Sequence, residues 1–144
     1  MTLIRPILET DLPEVLSMIH ALAAHHGDAP VTTLEDLRRD ALGMHPWLQV
    51  LVAPGLGYAA LCPLAQLQFG VRGMDMHHLF VVETARGSGV GRALIDASIA
   101  HAKAQECRYL TVGTHPDNRA AQAVYRAAGF EDLPVSGARF RMKW

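Results

Sequence analysis

The chain has 144 residues, half of them apolar, and a formal net charge of −1. That length suits one domain around a single core, and the near-neutral charge offers no broad field to nucleic acid or to an anionic membrane. The opening residues, Met1-Thr2-Leu3-Ile4-Arg5-Pro6, hold no apolar run of signal length, and no segment reaches the ~20 apolar residues of a membrane span. The expectation is a cytoplasmic protein. Of the two cysteines, Cys62 falls in an apolar strand and Cys107 at a helix end. Buried free thiols are expected rather than a disulfide.

In chain order, Leu3–Pro6 reads as a first strand, and Asp11-Leu12-Pro13-Glu14 as a helix start resembling a capping box. Leu12, Val15, Leu16, Ile19, Leu22 and Ala23 follow at helical spacing. A short second helix is predicted from near Thr33 to near Gly43. Trp47–Ala53 and Gly57–Leu67, split by Pro54-Gly55-Leu56-Gly57, predict a hairpin. Met74–Val82 reads as the next strand, Val90–Gln105 as a helix, Arg108–Gly113 as a buried strand and Arg119–Ala128 as a helix. Strands are expected around Phe130–Leu133 and Ala138–Lys143. There are no repeats, low-complexity tracts or linkers, which predicts a single domain over residues 1–144.

The most informative segment is Arg86-Gly87-Ser88-Gly89-Val90-Gly91, between the apolar stretch Leu79–Val82 and Arg92-Ala93-Leu94-Ile95. It reads as strand, glycine turn, helix. Three glycines in five residues let the backbone approach a bulky anion, and the first amides of a helix lack internal partners and carry the positive end of its dipole. Arg86 and Arg92 add charge, so a pyrophosphate suits the turn. A dinucleotide fingerprint would need G-x-G-x-x-G and an acid about 20 residues on, and a P-loop would need Gly-Lys-Ser/Thr; neither is present. A plain tight turn capping a helix is the bland alternative.

A second segment follows: Asn118-x-x-Ala121-x-x-x-Tyr125-x-x-x-Gly129-Phe130. Together the two resemble the Gcn5-related N-acetyltransferase (GNAT) superfamily, with Arg86, Gly89 and Gly91 matching one motif and Asn118, Ala121, Tyr125 and Gly129-Phe130 the other. The resemblance covers essentially the whole chain. It implies an α/β (α+β) fold with a mixed central sheet, flanked by helices, in which two neighbouring parallel strands splay, here Met74–Val82 and Arg108–Gly113, with acetyl-CoA in the splay. Around Asp36, Gly43, His45-Pro46 and Val50–Ala53 the chain is similar to the spermidine/spermine and thialysine acetyltransferases.

Amine acetylation needs a base for an ammonium of pKa ~10, a donor for the thioester oxygen and a proton for a thiolate of pKa ~8.5. The resemblance assigns the acid to Tyr125, which shares a helix face with Asn118 seven residues earlier. Core packing is the alternative for this tyrosine. Backbone amides of Leu79-Phe80-Val81 would hold the pantetheine arm and polarise the thioester carbonyl. Cofactor contacts are thus expected from Leu79, Phe80, Val81, Arg86, Gly87, Ser88, Gly89, Val90, Gly91, Arg92, Asn118 and Tyr125.

The base candidates are His77 and His78, just before that strand end, where the resemblance to the spermidine/spermine and thialysine acetyltransferases implies an acidic pair. Successive strand residues face opposite sides, so only one of them is expected to face the acceptor amine. Histidine takes a proton near neutral pH but does not draw in a polycation as carboxylates do. Asp75 and Glu83 are the substitutes. His20, His25 and His26 lack a completing carboxylate or cysteine, so no metal site is expected.

The sequence therefore reads as an enzyme that transfers the acetyl group of acetyl-CoA to a small-molecule primary amine in a ternary complex, without metal. Dimers are common in the family, which leaves room for a homodimer. Two other readings stand beside this one: acetylation of a protein or peptide N-terminus, and a non-catalytic acyl-CoA-binding regulatory domain.

Overall fold

The computed structural model describes residues 2–135 and 137–144. The chain divides into two compact units, Met1–Gly113 and Thr114–Trp144.

The first unit is built on one five-stranded sheet in the order β1 (Arg5–Pro6), β2 (Gln49–Ala53), β3 (Gly57–Gln66), β4 (Val71–Val81), β5 (Cys107–Val112). The first three pairings are antiparallel and β4–β5 is parallel. A parallel pair cannot be joined by a tight turn; here α3 (Val90–Ala104) makes the crossover, and α1 (Leu12–His25) and α2 (Leu34–Leu42) lie between β1 and β2 in sequence.

Both faces of the sheet are covered, which explains the unbroken apolar run of β2. Val50, Val52, Tyr58, Ala60 and Phe80 pack with Leu12, Val15, Met18 and Leu22 of α1 and with Leu37 and Ala41 of α2. Their strand neighbours Ala53 and Ala59 pack with Ala85 and with Val90 and Leu94 of α3. The boundaries of α2 follow local chemistry: Thr33 accepts from the Asp36 amide at 3.1 Å while Asp36 accepts from the Thr33 amide at 3.0 Å, a reciprocal cap.

The predicted elements hold with four corrections. Asp11 does not cap α1 with its side chain; it accepts from the Leu8 amide at 2.7 Å and pairs with Arg5 at 2.6 Å, closing a short 3₁₀ turn ahead of the helix. Trp47 does not begin a strand, because the amides of Trp47 and Leu48 donate to the Asp40 carbonyl at 2.7 and 2.9 Å, so β2 starts at Gln49. The strand Cys107–Val112 is half-buried rather than buried, as it ends the sheet order, and Cys62 and Cys107 are free but also only half-buried.

The fourth correction concerns the second unit. Its α4 (Arg119–Ala127) forms as expected, but residues 130–135 and 137–144 join no strand ladder among the described residues. Phe140, Met142 and Trp144 alternate as strand residues do, and all three are exposed. Alternation supplies a face; a strand also needs a partner for its backbone groups.

Within β4 and β5 one close approach is specific. A Cβ at Gly73 would lie 2.2 Å from the Tyr109 ring, its register partner, so only glycine admits that ring.

Candidate functional site

β4 ends at Val81, a 3₁₀ turn covers Glu83–Ala85, and residues 86–89 turn into α3. Gly87 and Gly89 take left-handed backbone, with φ of 79° and 91°, a region in which a side chain is strained. A Cβ at either would meet no atom within 4 Å, so the turn is open as well as sharply bent. Gly89 occupies the N-cap position of α3 and has no side chain to cap it. The opening amides at Val90 and Gly91 are therefore available to an anion.

The charged residues of the turn are more committed than the sequence implies. Arg86 donates from Nε to the Val81 carbonyl at 3.0 Å and its guanidinium carbon lies 5.7 Å from the Phe80 ring centroid. Arg92 pairs with Asp96 at 3.0 Å. The Ser88 hydroxyl donates to the Ala85 carbonyl, shaping the turn.

The parallel ladder stops short of this turn. Its last pair is Met76↔Val112, whereas β4 continues to Val81 against β3 alone. From His77 onward the β4 edge that faced β5 has no strand partner among the described residues, so β4 and β5 splay as the resemblance implies. Leu79, Phe80 and Val81 lie on that unpaired stretch. Phe80 is buried on the α1–α2 face and Leu79 and Val81 pack partly into the α3 face, so side chains on both faces anchor this stretch.

The two histidines depart from the expected geometry. The β3–β4 register shifts between Ala60↔His78 and Leu61↔Met76, leaving His77 as an extra residue on β4, a β-bulge. Strict alternation is broken there. Instead of facing opposite sides, the imidazoles of His77 and His78 stack, with centroids 4.3 Å apart and planes 15° apart. His77 is exposed and His78 half-buried. The hydroxyl of Tyr58 lies 2.9 Å from His78 Nδ1. Burial first, then the neighbouring His77 and His26, push the His78 pKa down to about 4. His78 is thus neutral at physiological pH. Burial also pushes the Tyr58 phenol well above its ordinary value. Tyr58 went unnoticed in the sequence because nothing there marks it apart from any apolar strand residue; only its diagonal position across the β3–β4 pair brings it to His78.

Of the substitute bases, Asp75 accepts from Thr111 Oγ1 at 2.7 Å, and Glu83 lies exposed in the 3₁₀ turn. His20 bonds through Nε2 to the Thr32 carbonyl at 2.8 Å.

In the second unit Asn118 Oδ1 accepts from the Ala121 amide at 3.0 Å, so this residue caps α4. The Tyr125 ring stands edge-on to Phe130 with centroids 5.8 Å apart, and the Phe130 amide donates to the Tyr125 carbonyl at 3.0 Å. Burial raises the Tyr125 phenol above its ordinary value, which keeps it protonated. Gly129, with φ of 100°, reverses the chain after α4, which explains the spacing from Tyr125 to the Gly129-Phe130 pair.

Comparison with known proteins bears on these motifs. Residues 19–130 match the family described as Acetyltransferase (GNAT) family, a span that contains both the glycine turn and α4. An L-methionine sulfoximine/L-methionine sulfone acetyltransferase of Pseudomonas aeruginosa is 32% identical over 88 residues, covering 59% of this chain and 51% of that protein. An uncharacterized N-acetyltransferase of Methanocaldococcus jannaschii is 34% identical over 68 residues, 47% of this chain and 30% of that protein. The matches therefore span about half the length of these curated relatives or less. Among solved structures, an aminoglycoside acetyltransferase from an uncultured soil metagenomic sample, in complex with sisomicin, has the same fold, with a TM-score of 0.80 at 18% identity, covering 98% of this chain and 96% of that one. On the glycine turn, the splayed strands and the match over 19–130, the chain belongs to the GNAT acetyltransferase family.

Proposed function

We propose that this protein transfers the acetyl group of acetyl-CoA to the primary amine of a small molecule by direct attack. The observation that carries the reading is the junction of two features in one unit: an open, uncapped glycine turn at the start of α3, and a β4 edge that loses its β5 partner after Met76. The first suits the pyrophosphate of a CoA, and the second leaves backbone groups of Leu79–Val81 to pair with a pantetheine arm and to polarise a thioester oxygen. Two similar proteins, one in sequence and one in fold, are acetyltransferases named for small molecules that carry amines.

In this reading the neutral amine attacks the thioester carbonyl carbon. The C–N bond forms, the C–S bond breaks, the amine proton passes to His77, and the departing thiolate takes the phenolic proton of Tyr125. Asn118 and the turn residues Arg86 to Arg92 serve cofactor binding. No step requires a metal. The family match crosses the boundary after Gly113, which supports a single functional domain. A neutral His78, where the resemblance to the spermidine/spermine enzymes implies a carboxylate, disfavours a polycationic acceptor. No helix among the described residues is long and apolar enough to cross a membrane, and we take the enzyme to act in the cytoplasm, where acetyl-CoA is available.

The test is a thiol-release assay with acetyl-CoA against amino acids, polyamines, aminoglycosides and peptides. Turnover of a small-molecule amine is the expected result. Acetylation of peptide N-termini alone would replace it with the protein-directed reading, and tight acetyl-CoA binding without turnover of any acceptor would leave a regulatory acyl-CoA-binding domain.

A further inference from the structure

We propose that Tyr58 is a positioning residue that holds His78 as the Nε2–H tautomer, so that His78 serves the site as a hydrogen-bond donor and proton acceptance is left to His77. This inference rests on the acetyltransferase reading for its consequence, though not for its geometry.

Tyr58 is fully buried, with 0% of its surface exposed, so no solvent reaches its hydroxyl. A phenol carries one donor hydrogen, and burying it unpaired is costly. Its hydrogen-bond partner among the described residues is His78 Nδ1, at 2.9 Å. Were Nδ1 protonated, the phenol oxygen would accept and its own hydrogen would face nothing. The phenol therefore donates, and Nδ1 presents its lone pair. In a neutral imidazole the remaining hydrogen then sits on Nε2.

The surroundings act in the same direction. Tyr58 is held edge-on to the His78 ring, with centroids 6.0 Å apart, and is braced by Phe80 at 6.2 Å. The titratable groups facing His78 are Tyr58 from β3, His77 on its own strand and His26 beyond α1, none of them an anion at neutral pH. An imidazolium would orphan the same phenolic hydrogen. No buried side-chain nitrogen or oxygen among the described residues lacks a partner; Nε2 of His78, which bonds to no described residue, is thus not sealed in the interior, and it is the ring nitrogen left to meet a ligand. It offers an N–H to an oxygen acceptor, such as a carboxylate, hydroxyl or carbonyl of the acyl acceptor. It has no lone pair with which to take the amine proton. His77, stacked on it and exposed, keeps that capacity.

The direct test is long-range ¹H–¹⁵N NMR on the full chain with ¹⁵N-labelled histidine, the His78 signals being assigned by their loss in His78→Gln. We expect the Nε2–H pattern from pH 6 to 8. An Nδ1–H pattern, or an imidazolium at pH 7, would overturn the proposal whatever the enzyme does. In Tyr58→Phe the ring still packs, and His78 should pass to a mixture of tautomers; an unchanged pattern there also defeats it. On an identified amine, His78→Gln, which can place an N–H near the Nε2 position, should retain several-fold more kcat/KM than His78→Ala, whose loss should be about tenfold. Equal loss in both variants would mean that His78 acts as a base and would overturn the donor role. If the tautomer is as expected but no amine is acetylated, the acetyltransferase reading fails while the assignment of Tyr58 stands.

Discussion

Asp75 accepts a hydrogen bond from Thr111 Oγ1 at 2.7 Å, across the register pair one rung before β4 and β5 stop pairing at Met76↔Val112. The bond ties the two parallel strands together where they begin to splay. It commits Oδ1 of the carboxylate to β5.

Asp75→Asn is accordingly expected to keep turnover within a few-fold, and Thr111→Val to lower stability by about 1 kcal/mol through loss of one side-chain hydrogen bond. Urea unfolding and a turnover assay on the same preparations check both. A hundredfold loss of kcat in a stably folded Asp75→Asn would transfer the base role from His77 to Asp75.

The glycine turn makes a prediction that separates strain from ligand contact. Gly89 has φ of 91°, whereas Gly91 lies in ordinary helical backbone and a Cβ there would sit 3.6 Å from Val81 Cγ2, a normal contact. Gly89→Ala should cost about 1 kcal/mol of stability. Gly91→Ala should cost none, since alanine is the better helix former, yet it should weaken CoA binding if the pyrophosphate rests on that bare backbone. Calorimetry with CoA and a thermal melt distinguish the two; unchanged affinity in both variants would remove the turn from the cofactor site.

Replacing His77 by alanine should lower kcat/KM about 10²-fold and remove the acidic limb of its pH profile, the signature of a lost general base. The stacked partner predicts a further detail. Because His78 is neutral and Tyr58-bound, it should not take over, so the residual activity of His77→Ala should vary little between pH 6 and 8. A retained acidic limb in that variant would place the base elsewhere.

Tyr125→Phe should leave acetyl-CoA affinity nearly intact and reduce kcat by roughly 10² to 10⁴, since the ring still packs against Phe130 and only the proton is lost. The raised phenol stays protonated across the neutral range, so no basic-limb titration should arise from it below pH 10. Full turnover in Tyr125→Phe would make it a packing residue.

The depressed His78 pKa carries a stability consequence whose sign is opposite to that of a salt-bridged histidine. The folded state disfavours the charged form, with a pKa of about 4 against an ordinary 6.5. Below 6.5 the unfolded chain binds a proton that the folded chain does not, so this contribution is complete above that pH and is lost progressively as pH falls toward 4. His101, also lowered by burial, acts in the same direction. The difference in melting temperature between wild type and His78→Gln should therefore shrink on acidification from pH 7 to 4.5; a constant difference would contradict the shift.

Local chemistry alone determined much of this protein. The Thr33–Asp36 cap set the start of α2, the periodicity of Leu12, Val15 and Leu22 set α1, and the run Arg86 to Gly91 announced an open turn before a helix, because caps, glycine conformations and helical faces are decided within a few residues. Tertiary structure decided the rest. The bulge at His77 depends on the register of β3 against β4, which no property of β4 by itself reveals, and it turned a pair expected to diverge into a stack. Tyr58 and His78 are 20 residues apart in sequence and meet only across that register. The alternating residues Phe140, Met142 and Trp144 show the converse, for a strand pattern becomes a strand only where another backbone is placed to receive its hydrogen bonds.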